Sequence, residues 1–209
     1  MNKGRIIPGK LMKLDDKFLD WWYAPWKNCA RPVPWAAGLG EFALRDGYRH
    51  WCNQAGVTPA MPAEFDAGWC ELAALSAPAV LATARLYAGM LLHDQPGHVA
   101  LRQLTIDQKR WCFGIGAIQP VRLLSHDNVA TLEEIGLHEI AHWLEHGFPG
   151  FWPRLRLSLP AMFDDMHPCQ TDLINMQSLS SRSVRARRCV LLCSQRASTV
   201  EMEKQGHLV

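Results

Sequence analysis

The residues best suited to chemistry are His138, Glu139 and His142, in the run His138-Glu139-Ile140-Ala141-His142. Two imidazoles at i and i+4 fall on one face of a helix and can ligate one zinc ion. The intervening Glu can serve as general base towards a metal-bound water. This HExxH pattern is the signature of zinc metallopeptidases. It also needs a third ligand and a cleft. The positions three and six residues beyond His142, where one class of such sites has Gly and His, hold Glu145 and Phe148. An acidic third ligand would have to come from Asp164, Asp165 or the tail beyond. Helical geometry offers a reading without metal. At about 100° per residue, His138 and His142 share an arc with Thr131, Glu134 and Glu145, while Leu132, Gly136, Leu137, Ile140, Ala141, Trp143 and Leu144 fill the opposite arc. That pattern predicts solvent-facing histidines paired with Glu at i,i+4. We therefore expect no metal and no catalytic residue, with the peptidase reading of His138, Glu139 and His142 as the alternative.

Other chemistry-bearing groups have plain structural explanations. His93, Asp94 and His98 sit where a helix ends, and a helix C-terminus favours cations by itself. Ser125-His126-Asp127 holds three triad residue types side by side, but sequence neighbours do not face one another as a triad requires. The pairs Asp15-Asp16, Glu133-Glu134 and Asp164-Asp165 suit solvated faces or helix starts.

The elements that must position these groups are helical. Between Ser76 and His93 the apolar residues Val80, Leu81, Ala84, Tyr87, Ala88, Leu91 and Leu92 recur at three- and four-residue steps. Pro78 suits a first turn, and Asp94-Gln95-Pro96-Gly97 closes the helix. Thr105-Ile106-Asp107-Gln108 and Thr131-Leu132-Glu133-Glu134 read as capping boxes, the second opening the HExxH helix, which should stop at Gly147-Phe148-Pro149-Gly150. Pro and Gly punctuate the N-terminal third, implying short helices and loops. Only Arg154-Leu155-Arg156-Leu157-Ser158-Leu159 alternates with period two, so at most a minor β element is expected near 154–159. The fold class is mainly α, a compact multi-helix domain.

Composition sets the bounds. A chain of 209 residues with 48% hydrophobic residues can bury one core, and a net charge of +2 does not point to nucleic acid. Seven scattered cysteines without CxxC spacing fit free, buried thiols in a reducing compartment. The first residues lack the apolar stretch of a signal peptide, and no run reaches the ~18 apolar residues of a membrane span. A cytoplasmic protein with no cofactor is expected. Nine Trp all precede residue 169, and residues 169–209 hold no aromatic residue, with six Lys/Arg against three Asp/Glu. We expect residues 1–168 to form the helical domain and 169–209 a basic, poorly ordered tail. Trp21, Trp22 and Trp26, crowded among Pro-rich loops, are expected to anchor a partner.

Two segments, in order, resemble the SctK (YscK-like) family of type III secretion proteins. Arg85-Leu86-Tyr87-Ala88-Gly89-Met90-Leu91-Leu92-His93 is similar to that family's central helix, followed by Leu101-Arg102 and the Gln108-to-Gly114 helix. Trp143-Leu144, Trp152 and Arg154-Leu155-Arg156-Leu157-Ser158-Leu159-Pro160 are similar to its C-terminal pattern. The likeness covers roughly residues 75–160. HEIAH is not a family trait, and the basic tail does not match the family's apolar ending. The resemblance implies a non-enzymatic cytosolic adaptor of the injectisome sorting platform, peripheral to the inner-membrane base. It would link an SctD-like ring protein to an SctQ-like pod protein that works with SctL-like and SctN-like components. An unrelated helical binding module is the third reading.

Overall fold

The central element is a helix that the sequence makes apolar nearly all round. In a computed structural model, which describes residues 14–31, 38–119, 121, 131–166, 168 and 176–206 (backbone alone at 176–180 and 200–206), this helix is α4, Ala77–Leu91. The helices in chain order are α1 (Asp16–Tyr23), α2 (Glu41–Asp46), α3 (Tyr48–Ala55), α4, α5 (Ile106–Ile118), α6 (Leu132–Gly147), α7 (Phe151–Leu157) and α8 (Met176–Gly206). Four 3₁₀ segments lie between them among the described residues, at Pro25–Lys27, Ala67–Ala74, Val99–Gln103 and Ala161–Phe163. The described residues contain no strand and form a compact, mainly helical domain, as the periodicity predicts.

Local chemistry sets the helix starts. Ser76 Oγ accepts from Ala79 N at 3.3 Å, with Pro78 in the first turn of α4. Both predicted capping boxes form. Thr105 Oγ1 accepts from Gln108 N at 3.2 Å while Gln108 Oε1 accepts from Thr105 N at 2.9 Å. Thr131 and Glu134 repeat the exchange at 3.2 and 3.0 Å at the start of α6. Gln103 Oε1 takes the free Leu132 N–H at 3.1 Å, tying the Val99–Gln103 turn to the head of α6.

Helix α4 is clasped by α5, α6 and α8. The approach of α6 is closest at Gly136, where an added Cβ would lie 2.5 Å from the Ala84 carbonyl carbon, against backbone that cannot swing aside. Arg85 Nε donates to Glu133 Oε1 at 2.8 Å and latches the same pair of helices at the rim. A second, smaller cluster forms around Trp51, Cys52 and Val57, with Trp26, Cys29, Tyr48 and Leu157 packed on it.

Residues 154–159 carry no strand: Gly150 at φ 81° opens α7 over Phe151–Leu157, with Pro153 in its first turn. The alternation of Arg and Leu does not separate a wet from a dry face, because Arg154 is as buried as Leu155. Part of the basic segment 169–209 packs on the domain. Ala186, Cys189, Val190, Cys193 and Ala197 of α8 are buried in the main core, Cys193 Sγ lying 3.3 Å from Met90 Sδ. Their three- and four-residue steps make an apolar stripe of small residues, enough for close packing on α4. Arg187 adds an ion pair to Asp66, whose own N–H donates to Gly147 O at 2.8 Å.

Candidate functional site

The HExxH residues stand on the second half of the α6 backbone ladder, and α6 lies between α4, α7 and α8. Glu139 is 0% and His142 1% exposed, and His138 is half-buried. The expectation that His138 and His142 face solvent is therefore corrected for His142; of the rest of that arc His138, Thr131 and Glu134 are half-buried and Glu145 is exposed. The opposite arc behaves as predicted, with Leu132, Gly136, Leu137, Ile140, Ala141, Trp143 and Leu144 all buried. Around His142 the neighbours are aromatic. The Trp143 ring meets it edge-on at 5.0 Å, and His146 lies 4.5 Å away with Nδ1 at 2.9 Å from His142 O. Among the described residues no group of three His, Cys, Asp or Glu is arranged to hold a metal ion.

The surroundings of Glu139 are polar but closed. Tyr87 of α4 is fully buried, and burial, together with Glu139 and the thiols of Cys189 and Cys193, holds its hydroxyl pKa well above the ordinary value. Burial likewise pushes Cys112 up to about 12 and Cys189 to about 11. Cys29 and Cys70 rise to about 11 for the same reason. The six cysteines among the described residues are free thiols. Held in the protonated form, they are packing groups rather than nucleophiles.

The remaining candidates resolve into local roles. Asp15 caps α1, Glu133 pairs with Arg85, Glu134 completes the α6 cap, and Asp164 pairs with Arg31. His98 Nδ1 accepts from Ala100 N at 3.3 Å as the cap of the Val99–Gln103 turn, while His93 Nδ1 lies 3.0 Å from Met90 O. Ser125, His126, Asp127 and His167 lie outside the described residues.

The proposed tryptophan patch is mostly interior. Trp21 is 8% and Trp22 0% exposed, packed with Phe18, Phe148 and Phe151 in one aromatic cluster. Trp26 is half-buried against Trp51 and Tyr48. The spacing of Phe18, Trp21 and Trp22, i, i+3, i+4, is itself the signal of a core-facing stripe. Trp21 and Trp22 are therefore core residues and not partner anchors.

Sequence reasoning gave no notice of Arg154. Its guanidinium is buried, donating from Nη2 to Thr58 O at 2.6 Å and Tyr48 Oη at 2.9 Å, and from Nε to Trp22 O at 3.2 Å. It bridges the two hydrophobic clusters. Tyr48, desolvated there, is pushed up to about 12 even with Arg154 beside it. Open grooves mark the surface among the described residues. One of about 490 Å³ is lined by Asp16, Asp20, Tyr23, Arg45 and Tyr48, and one of about 460 Å³ by Leu81, Arg85, Gln103, Glu133, Met162 and Phe163. No helix among the described residues is long and apolar enough to cross a membrane.

Compared with protein-family models, curated proteins and solved structures, the chain matches none.

Proposed function

We propose that the chain is a non-enzymatic adaptor of a type III secretion sorting platform, the role implied by its resemblance to the SctK family. In that role it joins an SctD-like membrane-ring protein to an SctQ-like pod protein, within an assembly that includes SctL-like and SctN-like components. The observation that carries the reading is where the resembling residues lie. Leu86, Tyr87, Met90, Leu91 and Leu92 of the α4 region, Trp143 and Leu144 of α6, and Trp152, Leu155 and Leu159 at α7 meet in one core. Two segments far apart in sequence thus share a packing unit, as they must if the likeness is one of fold. The burial of Glu139 and His142 supports a scaffold role for α6 over a hydrolytic one.

The test is a pull-down with the full, tagged chain against the SctQ-like protein and the cytoplasmic domain of the SctD-like protein from the same genome. Capture of both, with the ring and pod proteins failing to associate directly, is the expected result. Capture of neither would overturn the proposal.

A further inference from the structure

Helix α8 turns one face to the core and leaves a second face bare. Residues 181–199 hold five Arg and no Asp or Glu. Arg187 is spent on Asp66. The other four, Arg182, Arg185, Arg188 and Arg196, are exposed. At about 100° per residue Arg185, Arg188 and Arg196 fall within about 80° of arc and run about 17 Å along the axis, while Arg182 lies farther round, in line with the buried Cys189 and Cys193. Among the described residues, Arg182, Arg188 and Arg196 make no ion pair. Set into the same face are two apolar side chains, Val184 at 39% and Leu192 at 38% exposure.

From this face we infer that α8 docks an acidic amphipathic helix of a partner protein, laid along it with carboxylates against the arginines and apolar residues on Val184 and Leu192. The inference rests on the reading of the chain as a protein-binding adaptor and names the surface that does the binding. A straight, single-faced stripe about three turns long matches the footprint of one helix. Charge complementarity sets the sign of the partner, since Arg188 and Arg196 make no ion pair among the described residues. Nucleic acid fits less well. Residues 181–199 contain no aromatic to stack on bases, and a phosphate backbone offers Val184 and Leu192 nothing. A membrane surface fits less well again. The apolar side of α8, which would have to enter the bilayer, is already filled by the core.

The experiment uses the full chain and a labelled synthetic peptide helix of about 20 residues, with Leu at three- and four-residue steps flanked by Glu. A control peptide carries Lys in place of Glu. Fluorescence anisotropy should show the Glu peptide bound at least about tenfold more tightly than the Lys peptide, an advantage lost as salt is raised. The double variant Arg188→Glu, Arg196→Glu should abolish or reverse that preference while its circular dichroism stays helical. If the double reversal disturbs folding, the neutral pair Arg188→Gln, Arg196→Gln should still weaken the Glu peptide severalfold. Equal binding of the two peptides would overturn the inference, as would a preference unchanged in folded variants. Tighter binding of a duplex oligonucleotide or of phosphatidylserine vesicles than of the Glu peptide would do the same. Failure to capture ring and pod proteins, with the peptide preference intact, would sink the secretion assignment alone; the converse would sink only the stripe.

Discussion

The guanidinium of Arg154 lies 3.8 Å from the centroid of the Trp22 ring, stacking α7 on α1. The same group satisfies carbonyls from Trp22, Thr58 and Gly150, so one cation replaces several local hydrogen-bond partners at the seam between the two clusters. Its acceptors are neutral, and its planar fork is what reaches them all. Arg154→Ala should lower unfolding stability by about 3 kcal/mol, because buried carbonyls lose their donor and the ring loses its cover. Arg154→Lys should recover only a small part of this, since one ammonium cannot span the same acceptors. Urea titration followed by Trp fluorescence reads both.

Gly136 sets how near α6 can come to α4. Gly136→Ala places a methyl group against Ala84 backbone and forces the helices apart at their closest point. A loss of about 3 kcal/mol is expected, the upper end for overpacking in a tight core, because backbone cannot rotate out of the way. Gly114, on the open side of α5, is the control: nothing lies within 4 Å of its added Cβ. Gly114→Ala should be neutral or slightly stabilising, by helix propensity.

The HEIAH residues should behave as core residues. His142→Ala should destabilise the chain by about 2 kcal/mol through the cavity it leaves between packed helices. Atomic absorption should find no stoichiometric zinc to be lost in the variant. Stability unchanged in His142→Ala, together with loss of bound zinc, would instead return the peptidase reading.

Much of this was legible in sequence. The bounds of α4 and α6 and both capping boxes follow from local rules that tertiary contacts do not disturb. What was not legible was the second half of α8. Ala186, Cys189, Val190, Cys193 and Ala197 are small and sit among arginines, so composition hides a stripe that periodicity would have found. Helical periodicity also ranks His142 with the polar residues Thr131, Glu134 and Glu145, whereas its ring is buried. The Trp21-Trp22 pair failed for a different reason: proline-rich flanks suggested a loop, whereas Asp15 caps a short helix that turns both rings inward. Arg154 could not be anticipated, because a lone Arg in an alternating run carries no mark of burial.

Alkaline pH should weaken the fold through its buried thiols. Cys112 and Cys189 have an ordinary value of 9.0 but are pushed up to about 12 and about 11 by burial. Below pH 9 both groups are protonated in folded and unfolded chains alike, and their packing contributes in full. Above it the unfolded chain releases protons that the folded chain still holds, so stability falls as pH rises towards the folded values. Each group should cost about 1.4 kcal/mol per pH unit in that window. Urea midpoints under reductant at successive pH values should drop steeply above pH 9, and Cys112→Ala should make the drop shallower.

The central claim is that the chain bridges two partners, and the most direct measurement is the mass of the complex formed by three purified proteins. Size-exclusion chromatography with light scattering should be run on the full chain, the SctQ-like pod protein and the cytoplasmic domain of the SctD-like ring protein, singly, pairwise and together. The account predicts a ternary species that contains all three, and no pod–ring species when the chain is left out. Pod and ring proteins competing for the chain, or neither shifting its elution, would contradict it.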